Sequence, residues 1–173
     1  AHPLVLTSMP PTGGVVLLGT GWPEGRVLSS TTSLHVSWLE FADPTTQVPD
    51  LSPTGSGQAQ GTALTYEACV GSTPFGCQAV PFTSTSSNTS WNADGLSLTC
   101  GSTYYVAVRA TNCAGLQRTV VSAGAKLCCE PPRAGVVGLL SRNGPVVSVG
   151  DEMPLMASWS GFSDACSGVK GYV

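Results

Sequence analysis

The chain has seven cysteines and two histidines, the side chains that most often bind metals or act in redox and acid–base chemistry. The cysteines are irregularly spaced, at Cys69, Cys77, Cys100, Cys113, Cys128, Cys129 and Cys166. No Cys-x-x-Cys pair occurs, so the spacing does not favour a zinc site. Nothing near these cysteines supplies the environment that lowers the pKa of a redox thiol. The pattern therefore predicts disulfide bonds formed in an oxidising compartment.

The other polar residues do not form a catalytic pattern. His35 falls on the outward face of a predicted strand, and Ser37 and Ser158 each precede a tryptophan with no Asp/His partner in the pattern. Asp43 and Asp164 each offer a single carboxylate, which favours a turn cap over a calcium ligand. We expect no enzyme activity, no catalytic residue, no cofactor and no metal.

Composition bounds the partners and the compartment. The net charge is −3, from 7 basic and 10 acidic residues, and no basic stripe occurs, so nucleic acid is not an expected partner. No apolar run approaches the ~20 residues of a membrane span. The sequon Asn88-Thr89-Ser90 predicts glycosylation at Asn88 and agrees with secretion. We expect an extracellular or cell-surface location.

The chain contains an internal repeat of domain size. Residues 132–164 align with residues 11–43 without a gap, and Trp159 falls on Trp38. We expect a linker or the end of a preceding module at 1–10, one module at 11–130, and the N-terminal part of a second, truncated module at 131–173. Tyr172 corresponds to Tyr66. Fewer residues separate Tyr172 from Asp164 than separate Tyr66 from Asp43, so the first module carries a long insertion within its 42–61 loop.

Alternating apolar and polar residues predict short strands joined by polar turns. We expect strands at 14–19, 33–41, 62–71, 77–82, 90–98, 103–112 and 116–127, with a polar connection at 83–89, and strands of the second copy at 135–140 and 153–162. In the second strand Leu34, Val36 and Trp38 share one face. Seven short strands without a helical window predict an all-β sandwich.

The segment from Leu98 to Gly115 resembles strands E and F of fibronectin type III modules. It carries Leu98, Gly101 and Tyr104, followed by V-x-V-x-A-x-N-x-A-G. The resemblance covers residues 11–127 and implies a seven-stranded fibronectin type III or immunoglobulin-like sandwich. It also implies that Tyr104 is a tyrosine corner and that Trp38 and Tyr66 are core aromatics. The chain departs from this family in its cysteines and its long loop.

That topology implies disulfide pairings. Cys69 and Cys77 flank one hairpin turn and would staple it, while Cys100 would pair with Cys128 or Cys129. Cys166 lies in a loop that would face the same pole, so a Cys129–Cys166 bridge across the junction is a further prediction. Cys113 lies at the opposite pole and is the candidate for the odd thiol. The bonds would either only stabilise each module or also lock the junction.

These observations favour a structural or adhesive spacer in a tandem-repeat extracellular glycoprotein. Pro10-Pro11 and Pro131-Pro132 would stiffen the joints between modules. The partners would be neighbouring modules of the same chain, and possible further partners are other extracellular proteins or glycans. The composition is similar to that of large surface glycoproteins of green algae, including those on cilia, which suggests a fibre or surface coat. The alternatives are a protein- or glycan-binding module using the 42–61 loop, and an accessory module of a secreted enzyme.

Overall fold

The computed structural model describes residues 9–19, 27–44, 64–141, 144–145, 156–169 and 171–173. Most of the predicted 1–10 linker and of the 42–61 loop therefore lie outside the described residues, as does the start of the strand expected at 153. The chain divides into two compact units, Ala1–Cys129 and Glu130–Val173. This division falls one residue before the boundary expected from the repeat.

The first unit contains a three-stranded antiparallel sheet. Its order is β1 (Thr12–Leu18), β3 (Ser33–Ala42) and β6 (Ser90–Asp94), with β3 in the centre. The predicted period-two pattern is present in β3, where Leu34, Val36 and Trp38 are buried. The opposite face of β3 is left toward solvent, as in many antiparallel sheets.

The second sheet of the first unit is larger. The order is β2-β9-β7-β4-β5, and β8 also pairs with β7. The strands are β2 (Val27–Leu28), β4 (Thr65–Gly71), β5 (Val80–Ser86), β7 (Thr103–Thr111), β8 (Gln117–Val121) and β9 (Ala125–Leu127). All pairings are antiparallel except that of β2 with β9, which is parallel.

The two sheets of the first unit share one hydrophobic core. One sheet contributes Val16, Val36 and Trp38, and the other contributes Val106 and Leu127. Full burial of an aliphatic side chain of this size contributes roughly 1.5–3 kcal/mol before the entropy of ordering it is subtracted. The fold is therefore an all-β sandwich, as the sequence predicts.

The structure corrects the prediction around β5. The polar stretch 83–89 was expected to be a connection, yet β5 continues through Thr83 to Ser86. Thr85 is buried, and its hydroxyl donates a hydrogen bond to the carbonyl oxygen of Tyr66 at 3.2 Å. A threonine whose hydroxyl has a backbone acceptor can be buried in a strand. The polarity of residues 83–86 therefore did not predict where β5 ends.

Two other predicted strands are shorter or divided. The strand expected at 90–98 ends at Asp94, where Gly95 follows with a positive φ of 70°. The strand expected at 116–127 is divided into β8 and β9 around Ser122. The Ser122 hydroxyl accepts the N–H of Val106 at 3.0 Å, and the Ser122 N–H donates to the Val106 carbonyl at 2.9 Å. Ser122 thus holds the chain against β7 where the strand is interrupted.

The second unit repeats the first pairing of the first unit. Its sheet has the order β11 (Gly144–Pro145), β10 (Val136–Ser141) and β12 (Met156–Ser160). Val137 lies opposite Trp159, as Val16 lies opposite Trp38 in the first unit. The isolated bridge between Arg133 and Ser163 corresponds to the pair Thr12 and Ala42. The sequence repeat is therefore also a repeat of strand register.

Candidate functional site

Three aromatic side chains lie together in the core of the first unit. The ring of Tyr66, from β4, lies 5.6 Å between centroids from Trp38 and 5.6 Å from Phe41, both on β3. Tilted and edge-on rings at such distances add roughly 0.5–1.5 kcal/mol per pair beyond their burial. Trp38 is only 2 % exposed, and its indole N–H has no hydrogen-bond partner among the described residues. The group acts through packing.

The same three-ring arrangement recurs in the second unit. Tyr172 lies 5.5 Å from Trp159 and 5.6 Å from Phe162 between ring centroids. A glycine lies under the phenylalanine in both copies: a β-carbon on Gly14 would meet the Phe41 ring, and one on Gly135 would meet the Phe162 ring. The two copies therefore share a packing scheme as well as a register, including the correspondence of Tyr172 with Tyr66.

The repeated aspartates begin the loop after this strand. One carboxylate oxygen of Asp164 accepts the backbone N–H groups of Cys166 at 2.7 Å and Ser167 at 2.8 Å. These bonds, that from Ser167 first, lower the pKa of the carboxyl group below its ordinary value because they favour the charged form. Asp43, its counterpart, is buried. The geometry at Asp164 is that of a turn cap.

Tyr104 ties the turn before β7 to the core. The backbone N–H of Thr99 donates a hydrogen bond to the Tyr104 hydroxyl oxygen at 2.8 Å, and the ring itself is buried. A contact of this kind is what the resemblance to fibronectin type III modules implies for Tyr104. It fixes the turn that carries Cys100, so the position of that cysteine depends on Tyr104.

The structure selects one of the two predicted partners of Cys100. Cys100 is bonded to Cys129, with a Cα–Cα distance of 5.7 Å. The N–H of Gly101 donates to the carbonyl of Leu127 at 2.7 Å, which brings the turn against the end of β9. The predicted Cys129–Cys166 bridge is therefore wrong, because Cys129 is already used within the first unit.

The remaining cysteines differ in their states. Cys69 is bonded to Cys77 across the turn between β4 and β5, which is the predicted hairpin staple. Cys128 and Cys166 are also disulfide-bonded. Cys113 is a free and exposed thiol, the odd cysteine expected from the count. Three disulfides in one chain indicate an oxidising, non-cytosolic environment.

Two further predicted residues lie at the surface. Asn88 is exposed in the turn between β5 and β6, where its N–H donates to the Thr85 carbonyl at 3.1 Å. Its glycosylation stays a prediction. His35 is on the exposed face of β3, and its Nδ1 lies 2.6 Å from the Oδ1 of Asn92 on β6. This is a cross-strand contact, and no acid or nucleophile among the described residues is hydrogen-bonded to it.

The turn expected between Cys69 and Cys77 is present at the tip of the β4–β5 hairpin, but the sequence analysis did not predict its backbone conformation. The N–H of Gly76 donates to the Thr73 carbonyl at 3.0 Å, Pro74 occupies the second position, and Phe75 has a φ of 60° at the third. A positive φ there defines a turn of type II, in which glycine or asparagine is expected. The signal available in the sequence was a Pro-Phe pair inside a cysteine-closed hairpin.

No group of three His, Cys, Asp or Glu side chains that could hold a metal ion occurs within the described ranges. In that same part of the chain no helix is long and apolar enough to cross a membrane. No protein-family model matches the chain, and a search of the curated proteins returns no match. Its function must therefore be argued from its own geometry.

Proposed function

We propose that this chain is a structural spacer from a tandem-repeat extracellular or cell-surface protein. The observation that carries the proposal is the duplication of one scaffold: β10 and β12 repeat the register of β1 and β3. The aromatic group repeats with it. Selection that keeps register and ring packing through two copies acts on the scaffold itself, as expected for repeated modules.

We further propose that the modules are of the fibronectin type III kind. Support comes from the division of the first unit into a β1-β3-β6 sheet and a sheet in which β5, β4, β7 and β8 follow one another. In the nomenclature of that family these are strands A, B, E and strands C′, C, F, G. The Tyr104 hydroxyl contact supports the same proposal.

The disulfides suit a role outside the cell. A module in a fibre or coat is exposed to proteases and to tension, and each disulfide limits how far the unfolded chain can extend. The sequon at Asn88 and the predicted surface location belong to the same proposal. A fibre or coat, for example on algal cilia, is the assembly that we expect, with neighbouring modules as the first partners.

Labelling of intact cells tests this proposal. An antibody raised against the folded first unit should label non-permeabilised cells, and immunogold particles should follow a fibre or coat at regular intervals. An antibody against a cytosolic protein is the control for cell integrity. Label confined to permeabilised cells would contradict the extracellular role. A complete gene product with a single such module beside a hydrolase domain would replace it by the accessory-module alternative.

A further inference from the structure

The edge strands of the first unit differ in how they are protected against pairing with another chain. An edge strand presents unpaired backbone N–H and C=O groups, on which a strand of another molecule can add. Proteins protect such edges with charged residues, proline, bulges or very short strands. The edge strands here are β1 and β6 in one sheet, and β2, β5 and β8 in the other.

Four of these five strands carry a protective feature. The strand β2 has only two residues. The strand β5 contains Pro81, and its register with β4 shifts twice, as at bulges. The strands β1 and β8 lie against each other, and the Arg118 guanidinium of β8 donates a hydrogen bond to the Gly13 carbonyl of β1 at 2.7 Å. A charged side chain therefore joins these two edges.

The strand β6 lacks these features. Its five residues pair with β3 without a shift of register, none of them is proline, and its one charged residue, Asp94, is the last. The Trp38 N–H donates to the Thr89 carbonyl at 2.9 Å, which sets the residues that face β3. Since the hydrogen-bonding direction alternates along an antiparallel strand, the backbone groups of Ser90, Asn92 and Asp94 point to the free edge.

The glycosylation sequon lies at this edge. Asn88 precedes β6 by two residues and is exposed. Its N–H donates to the Thr85 carbonyl at 3.1 Å, which holds it in the turn between the edge strands of the two sheets. An N-linked glycan is bulky and solubilising, so a glycan at this position would lie beside the unprotected edge.

We propose that an N-linked glycan on Asn88 covers the free edge of β6 and prevents edge-to-edge pairing between copies of the first unit. The glycan has the protective effect that Pro81 and Arg118 have at other edges. This inference rests on the proposed function, since a sequon is modified in secreted proteins and a fibre or coat holds many copies close together. It adds to the spacer a means of keeping its modules from pairing sideways.

Substitutions at Ser90 test the proposal, because this residue is both the last of the sequon and the first of β6. Ser90→Thr keeps the sequon and Ser90→Ala removes it, whereas Ser90→Lys removes it and adds a charge to the edge strand. The wild-type chain and each variant are secreted from a eukaryotic host with their disulfides intact. The mass of the peptide that contains Asn88 reports whether the glycan is present.

Sedimentation velocity over a wide range of concentration then measures self-association. We expect Ser90→Ala to associate at least about tenfold more tightly than wild type and Ser90→Thr. Ser90→Lys also lacks the glycan but should behave as wild type does, because the lysine protects the edge. Asn88→Gln removes the sequon without changing β6 and should behave as Ser90→Ala does. Thermal unfolding of each variant shows that it is folded at the temperature of measurement.

Three results would overturn the inference. They are an Asn88 that is secreted without a glycan, glycan-free Ser90→Ala and Asn88→Gln variants that associate no more tightly than wild type, and a Ser90→Lys variant that associates as tightly as Ser90→Ala. The last result would mean that the contact does not involve β6. None of them changes the labelling of intact cells, so this inference can fail while the spacer role stands. Label confined to permeabilised cells would contradict the spacer role whatever the chain does in solution.

Discussion

At the scale of single residues, the two copies solve one backbone problem in different ways. Glu40 has a φ of 63°, and its counterpart in the second unit is Gly161 with a φ of 76°. Gly13 lies against this site so closely that a β-carbon on it would meet the Glu40 carbonyl oxygen. The left-handed backbone conformation is therefore kept in both copies, but only the second uses the residue that adopts it without strain.

Replacing Glu40 by glycine should stabilise the first unit. Relief of the left-handed strain outweighs the greater freedom of glycine in the unfolded chain, and we expect a gain of about 0.5–1 kcal/mol in the free energy of unfolding. Urea unfolding measures it. Glu40→Ala removes the same charge but keeps a β-carbon, and should change little. Equal effects of the two substitutions would show that charge, not backbone strain, is responsible.

Tyr66 gives the first unit a dependence on alkaline pH. Burial raises the pKa of Tyr66 above its ordinary value of 10.0, because the interior disfavours the phenolate. Above that value the unfolded chain loses the proton before the folded one does, so stability falls as the pH rises toward the folded pKa. Unfolding free energies of wild type and Tyr66→Phe should run parallel below about pH 9, and the wild-type value should fall relative to that of the variant above pH 10. Curves that stay parallel would contradict this.

At the scale of elements, periodicity identified the strands whose two faces differ. β3 was predictable because Leu34, Val36 and Trp38 alternate with polar residues, and the inward face is the buried one. The length of β5 was underestimated because Thr85 is a polar residue type. Its hydroxyl is buried against a backbone acceptor that only the folded sheet supplies. β2 has two residues and pairs with β9 in parallel, which no local pattern could indicate.

The Tyr104 contact is predicted to matter more than its small number of atoms implies. Tyr104→Phe keeps the buried ring but removes the acceptor of the Thr99 N–H, and should cost about 1–2 kcal/mol of unfolding free energy. Tyr105→Phe on the same strand is the matched control and should cost less, because its hydroxyl makes no hydrogen bond to the described residues. Thermal unfolding followed by circular dichroism measures both. A Tyr104→Phe variant as stable as the control would contradict the role of the hydroxyl.

At the scale of the whole molecule, the repeat indicated the organisation but not the disulfide pairing. The boundary near residue 130 followed from alignment of the chain with itself. The choice between Cys128 and Cys129 did not, because adjacent residues differ only in the direction of their side chains. The hydrogen bond from Gly101 to Leu127 sets that direction at the end of β9, and it exists only after folding.

Removal of the two disulfides within the first unit should destabilise it unequally. In the chain-entropy picture the Cys100–Cys129 bond, with a sequence separation of 29, contributes about 3.5 kcal/mol, and the Cys69–Cys77 bond, with a separation of 8, contributes about 2.5 kcal/mol. The double serine variants of each pair, unfolded in urea, give both values. A larger loss for the shorter loop would contradict the entropic account. Fragmentation of non-reduced peptides should detect Cys100 joined to Cys129.

The common register of the two units has a consequence for how the chain folds. During synthesis, β10 of the second copy can pair with β3 in nearly the same register as β1 does. Exchange of strands between copies is therefore a route to misassembly. The differences at aligned positions work against it. A pair of strands taken from different copies would bury less apolar surface, because Gly138 replaces Leu17 and Ala157 replaces Val36. Divergence between neighbouring copies would in this way protect the order in which they fold.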